Sequence, residues 1–105
     1  MGKEDRSRLK GKWRIVEMPG FALDLAAPAY IALDGRGGGE IVFNAFTATL
    51  DCTIATDAAD FDWHGSDEGD EVRGDGFVEL QPDGSLEGEF AYDTGDDSTF
   101  KAMPE

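Results

Sequence analysis

Between positions 60 and 71 the chain runs Asp60-Phe61-Asp62-Trp63-His64-Gly65-Ser66-Asp67-Glu68-Gly69-Asp70-Glu71. Counted from Asp60, carboxylates fall at positions 1, 3, 9 and 12, with glycine at 6, which is close to the spacing of an EF-hand calcium loop. Position 5 is His64, whose imidazole is a poor ligand for a hard cation. An EF-hand also needs flanking helices, whereas Phe61 and Trp63 alternate with polar residues as in a strand. The expectation is no metal site here, with only weak, adventitious cation binding in the acidic 66–71 stretch.

His64, the single histidine, could act as a general base oriented by Asp62 or Asp67. A lone histidine at a strand end is more commonly a solvent-facing residue. The 23 acidic residues offer so many carboxylate pairs that no one pair points to glycoside chemistry. No phosphate loop, dinucleotide fingerprint, nucleophile elbow or Cys/His zinc spacing is present. Cys52 sits in an alternating apolar pattern and is expected to behave as a small buried hydrophobe. With one cysteine there is no internal disulfide. No catalytic residue and no cofactor are expected.

These residues must be held by short strands. No long segment has helical periodicity, and the 14 glycines punctuate the chain at intervals of about ten residues, the pattern of a sandwich or barrel. Eight strands are predicted, over 12–18, 29–34, 39–46, 48–55, 60–64, 71–80, 85–92 and 97–103. Pro19-Gly20 ends the first, and 21–28 forms a connection with at most one short helical turn near residues 22–27. Gly35-Arg36-Gly37-Gly38, Asp57-Ala58-Ala59 and Pro82-Asp83-Gly84 are turn signals, and Ser66 to Asp70 is an acidic loop. Short connections leave no room for crossovers, so an all-β, eight-stranded up-and-down antiparallel barrel is predicted, closed so that no edge is exposed.

Leu50, Cys52 and Ile54 share one face of their strand, as do Phe61 and Trp63, then Leu86, Phe90 and Tyr92, then Phe100 and Ala102. Trp13, Phe43, Phe61, Trp63, Phe77, Phe90, Tyr92 and Phe100 are assigned to the core. Gly74 and Gly76 are read as a bend or bulge. With Ala32 and Ala45 they are small enough to leave space inside. Tyr30, Asn44, Trp63 and Tyr92 combine bulk with a polar handle and are the candidate lining of a cavity for a small molecule. Ile31 and Leu33 oppose Tyr30, and Ile41 and Phe43 oppose Val42 and Phe46. Apolar residues on both faces leave monomer and homodimer open.

Charge narrows the partners. The net charge is −14 over 105 residues. Six cations in 1–14 (Lys3, Arg6, Arg8, Lys10, Lys12 and Arg14) outweigh Glu4 and Asp5, making that segment +4 and the remaining 91 residues −18. Such a surface repels nucleic acid and anionic lipid and suits a cationic ligand or a basic protein. No apolar leader segment is present and no apolar run is long enough to span a bilayer. A cytoplasmic location is expected, with residues 1–8 a flexible basic arm and 9–105 a single domain. The favoured function is non-enzymatic binding of a small apolar or cationic molecule in the barrel. The alternative is an acidic protein-interaction module presenting the 57–75 segment to a basic partner.

The opening Leu9-Lys10-Gly11-Lys12-Trp13-Arg14-Ile15-Val16 resembles the first strand of the calycins, the lipocalin and fatty-acid-binding superfamily. That resemblance implies a barrel in which Trp13 plugs the closed end and a basic residue of the last strand, here Lys101, packs over it. A lysine over an indole is a cation–π contact worth ~0.5–1 kcal/mol at an exposed site. The wider chain is similar to a group of small uncharacterised bacterial proteins. The shared phrases are Gly11-Lys12-Trp13-Arg14-Ile15, Pro28-Ala29-Tyr30-Ile31, Leu50-Asp51-Cys52, Gly74-Asp75-Gly76-Phe77, Asp83-Gly84-Ser85-Leu86-Glu87-Gly88-Glu89 and Ser98-Thr99-Phe100-Lys101-Ala102. This likeness implies a bacterial, cytoplasmic protein and brings no activity with it.

Overall fold

In the computed structural model, alternation between apolar and polar residues closes the chain on itself. The structure describes residues 9–20, 29–44, 46–67 and 69–105. The helical turn expected near 22–27 and the arm at 1–8 lie outside these residues. The strands are β1 (Gly11–Glu17), β2 (Tyr30–Leu33), β3 (Gly38–Phe43), β4 (Phe46–Ile54), β5 (Ala58–Asp67), β6 (Asp70–Leu80), β7 (Leu86–Tyr92) and β8 (Asp97–Pro104). Each pairs antiparallel with the next, and β1 pairs with β8, so the meander is a closed eight-stranded barrel. No helix among the described residues is long and apolar enough to cross a membrane.

The inward set follows a period of two, because successive side chains on a strand point to opposite faces. Trp13 and Ile15, Ile31 and Leu33, Ile41 and Phe43, Leu50, Phe61 and Trp63, Val78, Leu86 and Phe90, and Phe100 and Ala102 are all buried. Phe46 is also buried, because the turn after Phe43 resets the phase. Phe43 and Phe46 are directly opposite across β3 and β4 and stack at 4.7 Å. Their neighbours are Phe90, Trp63 and Tyr92. Trp63 and Phe90 stack at 4.6 Å with 14° between planes, and Phe46 meets both edge-on at 5.2 and 5.3 Å. Edge-to-face and offset-stacked rings place positive edges on negative faces, adding ~0.5–1.5 kcal/mol per pair beyond area burial.

Gly74 and Gly76 do not bend β6. The register from Ala58↔Glu79 to Asp67↔Asp70 is unbroken, and it sets Trp63 opposite Gly74 and Phe61 opposite Gly76. The space left by the missing side chains is filled by those rings: a Cβ on Gly74 would sit 2.7 Å from Trp63 Cζ2, and one on Gly76 2.8 Å from Phe61 Cζ. The irregularity in the wall lies instead in β1, where the pairing with β8 slips between Ile15 and Glu17. Val16 there is 38% exposed.

The acidic loop predicted at 66–70 is shorter than expected. β5 continues to Asp67 and β6 begins at Asp70, with Ser66 opposite Glu71. Polar residues sustain this pairing because backbone hydrogen bonds, not side-chain hydrophobicity, hold the end of the hairpin, where Asp67 stands opposite the buried Phe46 on β4.

Candidate functional site

The four proposed lining residues do not converge on one cavity. Trp63 and Tyr92 do meet, at 5.1 Å and 85°. Trp63 Nε1 donates to the backbone oxygens of Ala91 (3.1 Å) and Asp75 (3.3 Å), which satisfies the indole inside the wall. Tyr30 lies on the outside, because Ile31 and Leu33 claim the inward phase of β2. Lys12 Nζ stands 4.2 Å from the centre of its ring, and its hydroxyl donates to Glu40 Oε2 at 2.6 Å. That bond, helped by desolvation and by the Glu40 charge, pushes the Tyr30 hydroxyl pKa up. Asn44 is an exposed turn residue after β3, with φ of 53°. The larger depressions lined by described residues open onto the surface, and inside the barrel the rings above pack against one another.

Trp13 is buried, and its Nε1 donates to the Leu9 carbonyl at 2.9 Å. Lys101 does not cover it. Between the buried Phe100 and Ala102, Lys101 takes the outward phase of β8 and lies opposite Glu87 on β7 and Glu17 on β1. The cation–π pairing in this part of the molecule is Lys12 on Tyr30 instead.

Phe77 is the clearest departure from the predicted core. It sits between Gly76 and Val78, which share the inward phase, so it must face out, and it is 37% exposed. The alternation Val72, Gly74, Gly76, Val78 carries that signal in the sequence, and it runs against assigning every aromatic residue to the core. Across the sheet Phe77 lies between Asp60 on β5 and Glu89 on β7. Along its own strand the next outward residues are Asp75 and Glu79. Four carboxylates therefore frame one exposed phenyl.

The adjacent row is more strongly charged. Asp51, Asp62 and Asp75 stand directly opposite one another on β4, β5 and β6, with strands ~4.8 Å apart. On the far side of Phe77, Glu79 opposes Glu87. Two open depressions of about 380 Å³ each flank the phenyl, one beside Asp60, Asp62 and Asp75, the other beside Glu79, Glu87 and Lys101. Among the described residues no group of three or more His, Cys, Asp or Glu side chains is arranged to hold a metal ion. The 60–71 stretch explains why. As a hairpin it sends Asp60, Asp62 and His64 outward and Asp67 to the other face, so these four do not converge on one point.

A different geometry occurs at the end of the β5–β6 hairpin. The pairing of β6 with β7 stops at Gly74↔Tyr92, while its pairing with β5 continues to Asp70. A groove of about 810 Å³ lies between this overhang and the β7–β8 turn, lined by His64, Ser66, Val72, Arg73, Tyr92 and Asp96 among others. Asp93 N donates to Arg73 O at 3.0 Å, and Arg73 Nε pairs with Asp93 Oδ2 at 3.0 Å. The Tyr92 hydroxyl donates to Asp67 Oδ2 at 3.1 Å; burial, then that bond, drives its pKa far upward. His64 is exposed, and its cross-strand neighbours are Thr49 and Arg73 rather than carboxylates. Cys52 is half-buried, and desolvation, with the charges of Asp34 and Asp51, raises its thiol to about 11.

No protein-family model, curated protein or solved structure matches this chain.

Proposed function

We propose that this barrel is a non-enzymatic interaction module that binds a basic polypeptide on the outer face of β4 to β7. One observation carries the reading: Phe77 is exposed within a frame of Asp60, Asp75, Glu79 and Glu89. A lysine or arginine side chain suits such a frame, laying its aliphatic stem on the ring and its charged head among the carboxylates. The face also carries Asp51 and Asp62, whose mutual repulsion with Asp75 a cationic partner relieves. Attraction of this kind speeds encounter and weakens steeply with salt.

A small molecule inside the barrel is the less favoured reading, because among the described residues its candidate lining is either packed ring on ring or on the outside. The 57–75 segment proposed to face a partner contributes Asp60, Asp62 and Asp75, and the face widens it to β4 and β7.

The test is titration of the ¹⁵N-labelled protein with a synthetic Lys/Arg-rich peptide. Amide shifts centred on residues 60–62, 75–79 and 87–89 are expected. Phe77→Ser should weaken binding about tenfold, and Asp62→Lys with Asp75→Lys should abolish it. Binding that survives both changes overturns the reading.

A further inference from the structure

We propose that the outer edge of Asp70–Arg73 accepts an extended, basic polypeptide segment as an added ninth strand, in the groove beside Tyr92. This site begins ~13 Å along β6 from Phe77, with Glu71 ~20 Å away, and does not depend on the face described above.

The backbone directions require an open edge. Alternate residues of an antiparallel strand send their N–H and C=O groups to the same neighbour. Arg73 O accepts from Asp93 N, on the β7 side. Glu71, two residues back, therefore directs both its N–H and its C=O to that side. β7 ends at Tyr92, and its last pairing is with Gly74. Among the described residues no strand lies against this part of β6. The other flank is fixed, since β5 pairs with β4 as far as Asp67↔Phe46. The overhang is thus an edge braced by β5 and β4, with one unpaired rim.

The groove supplies the rest of what strand addition needs. Exposed edges are sites for strand addition, in which main-chain bonds give affinity and pockets for alternate side chains give specificity. Val72 and the Tyr92 ring provide apolar floor, and Trp63 supports Tyr92 from below at 5.1 Å. Glu71, Asp93 and Asp96 line the same groove, and its one strong cation, Arg73, is already paired to Asp93. The incoming segment should therefore carry a branched apolar side chain facing Val72 and a lysine or arginine beside it.

The probe is the peptide acetyl-Gly-Lys-Val-Lys-Val-Lys-Gly-amide, compared with a twin methylated on the backbone nitrogens of its three lysines, the residues that would oppose Glu71 and donate to it. With ¹⁵N-labelled protein, the first peptide should shift the amides of residues 71–73 and 92–94 and slow hydrogen exchange at Glu71. The twin should bind about three- to tenfold more weakly, the loss expected when the backbone bond to Glu71 O goes. Val72→Lys should abolish the effect. Phe77→Ser should leave it intact, which separates this site from the acidic face. Equal binding of the two peptides, shifts confined to the Phe77 face, or no binding at about 1 mM peptide would each overturn the proposal. So would a small aromatic amine occupying the groove when the peptide does not.

Discussion

Trp63 lies across the bare backbone of Gly74, its directly opposed partner on β6, so closely that a methyl group there would come within 2.7 Å of Cζ2. The same methyl would collide with the Ala91 carbonyl oxygen, one of the two acceptors of the Trp63 indole N–H. Gly74→Ala must displace either the ring stacked on Phe90 or the backbone of β7. Overpacking typically costs ~1–3 kcal/mol, and more when backbone is the obstacle. Urea denaturation should show a loss of at least about 3 kcal/mol, with lost near-ultraviolet ellipticity from Trp63. A neutral outcome would mean the ring does not rest on that glycine.

Asp62 has a carboxylate directly opposite on each side, Asp51 and Asp75. Like charges so placed oppose folding, and a β-branched neutral residue favours the strand. Asp62→Thr should stabilise the protein by about 0.5–1 kcal/mol. In the parent protein Tm should rise by about 5 °C as salt brings the Debye length from ~30 Å to below 10 Å. The gain from salt should be smaller in the variant. Calorimetry of both proteins at low and high sodium chloride checks this.

Two carboxyls tie turns together and make stability fall in acid. Asp83 Oδ1 accepts from the Ser85 hydroxyl at 2.6 Å and from Ser85 N at 2.9 Å, and these bonds hold its pKa below the usual 3.8. Asp34 Oδ1 does the same for Arg36 N and Gly38 N. A carboxyl depressed in the folded state binds fewer protons there than when unfolded. Its contribution is present above the unfolded pKa, near 3.8, and disappears as pH falls through the folded value. Asp83→Asn keeps an acceptor but cannot titrate. Its stability should decline less steeply than the parent's from pH 3.8 downward, measured by urea denaturation across that range.

The Cys52 thiol, raised to about 11 from an ordinary 9.0, has about a hundredth of the normal thiolate fraction at pH 8. A more basic thiolate is intrinsically more nucleophilic, which returns about a factor of ten. Alkylation by iodoacetamide at pH 8 should therefore run about tenfold slower in the folded protein than in urea. Equal rates would show that desolvation does not govern this thiol.

The strand count and meander are legible in the sequence because turn residues recur every ten or so positions and most strands keep a clean phase. In β7, Leu86 and Phe90 alternate with Glu87 and Glu89. What depends on neighbours in space is not legible. Nothing local reveals that Gly74 and Gly76 receive rings from β5, so they read as a bend. Nothing local reveals that Asp51, Asp62 and Asp75 form one row, since that follows from register. Phe77 and Lys101 are different, because their strands already specified an outward phase. For Phe77 that phase runs against residue type, and for Lys101 against the resemblance to a family. Asn44 occupies a turn, where asparagine is favoured, so its polar handle alone does not mark it as lining.

Of the eight pairings that make this wall, seven join strands adjacent in the chain, while β1 and β8 meet across nearly its whole length, with Trp13 beside Pro104. The seven can form as local hairpins, each closing a small loop. The eighth must wait until the others have brought the two ends round, because joining distant segments first would forfeit far more chain freedom. Folding of this protein is therefore a sequence of cheap local steps finished by one seam. Changes at Trp13 or Ile15 should speed opening of that seam while scarcely slowing the hairpins that precede it.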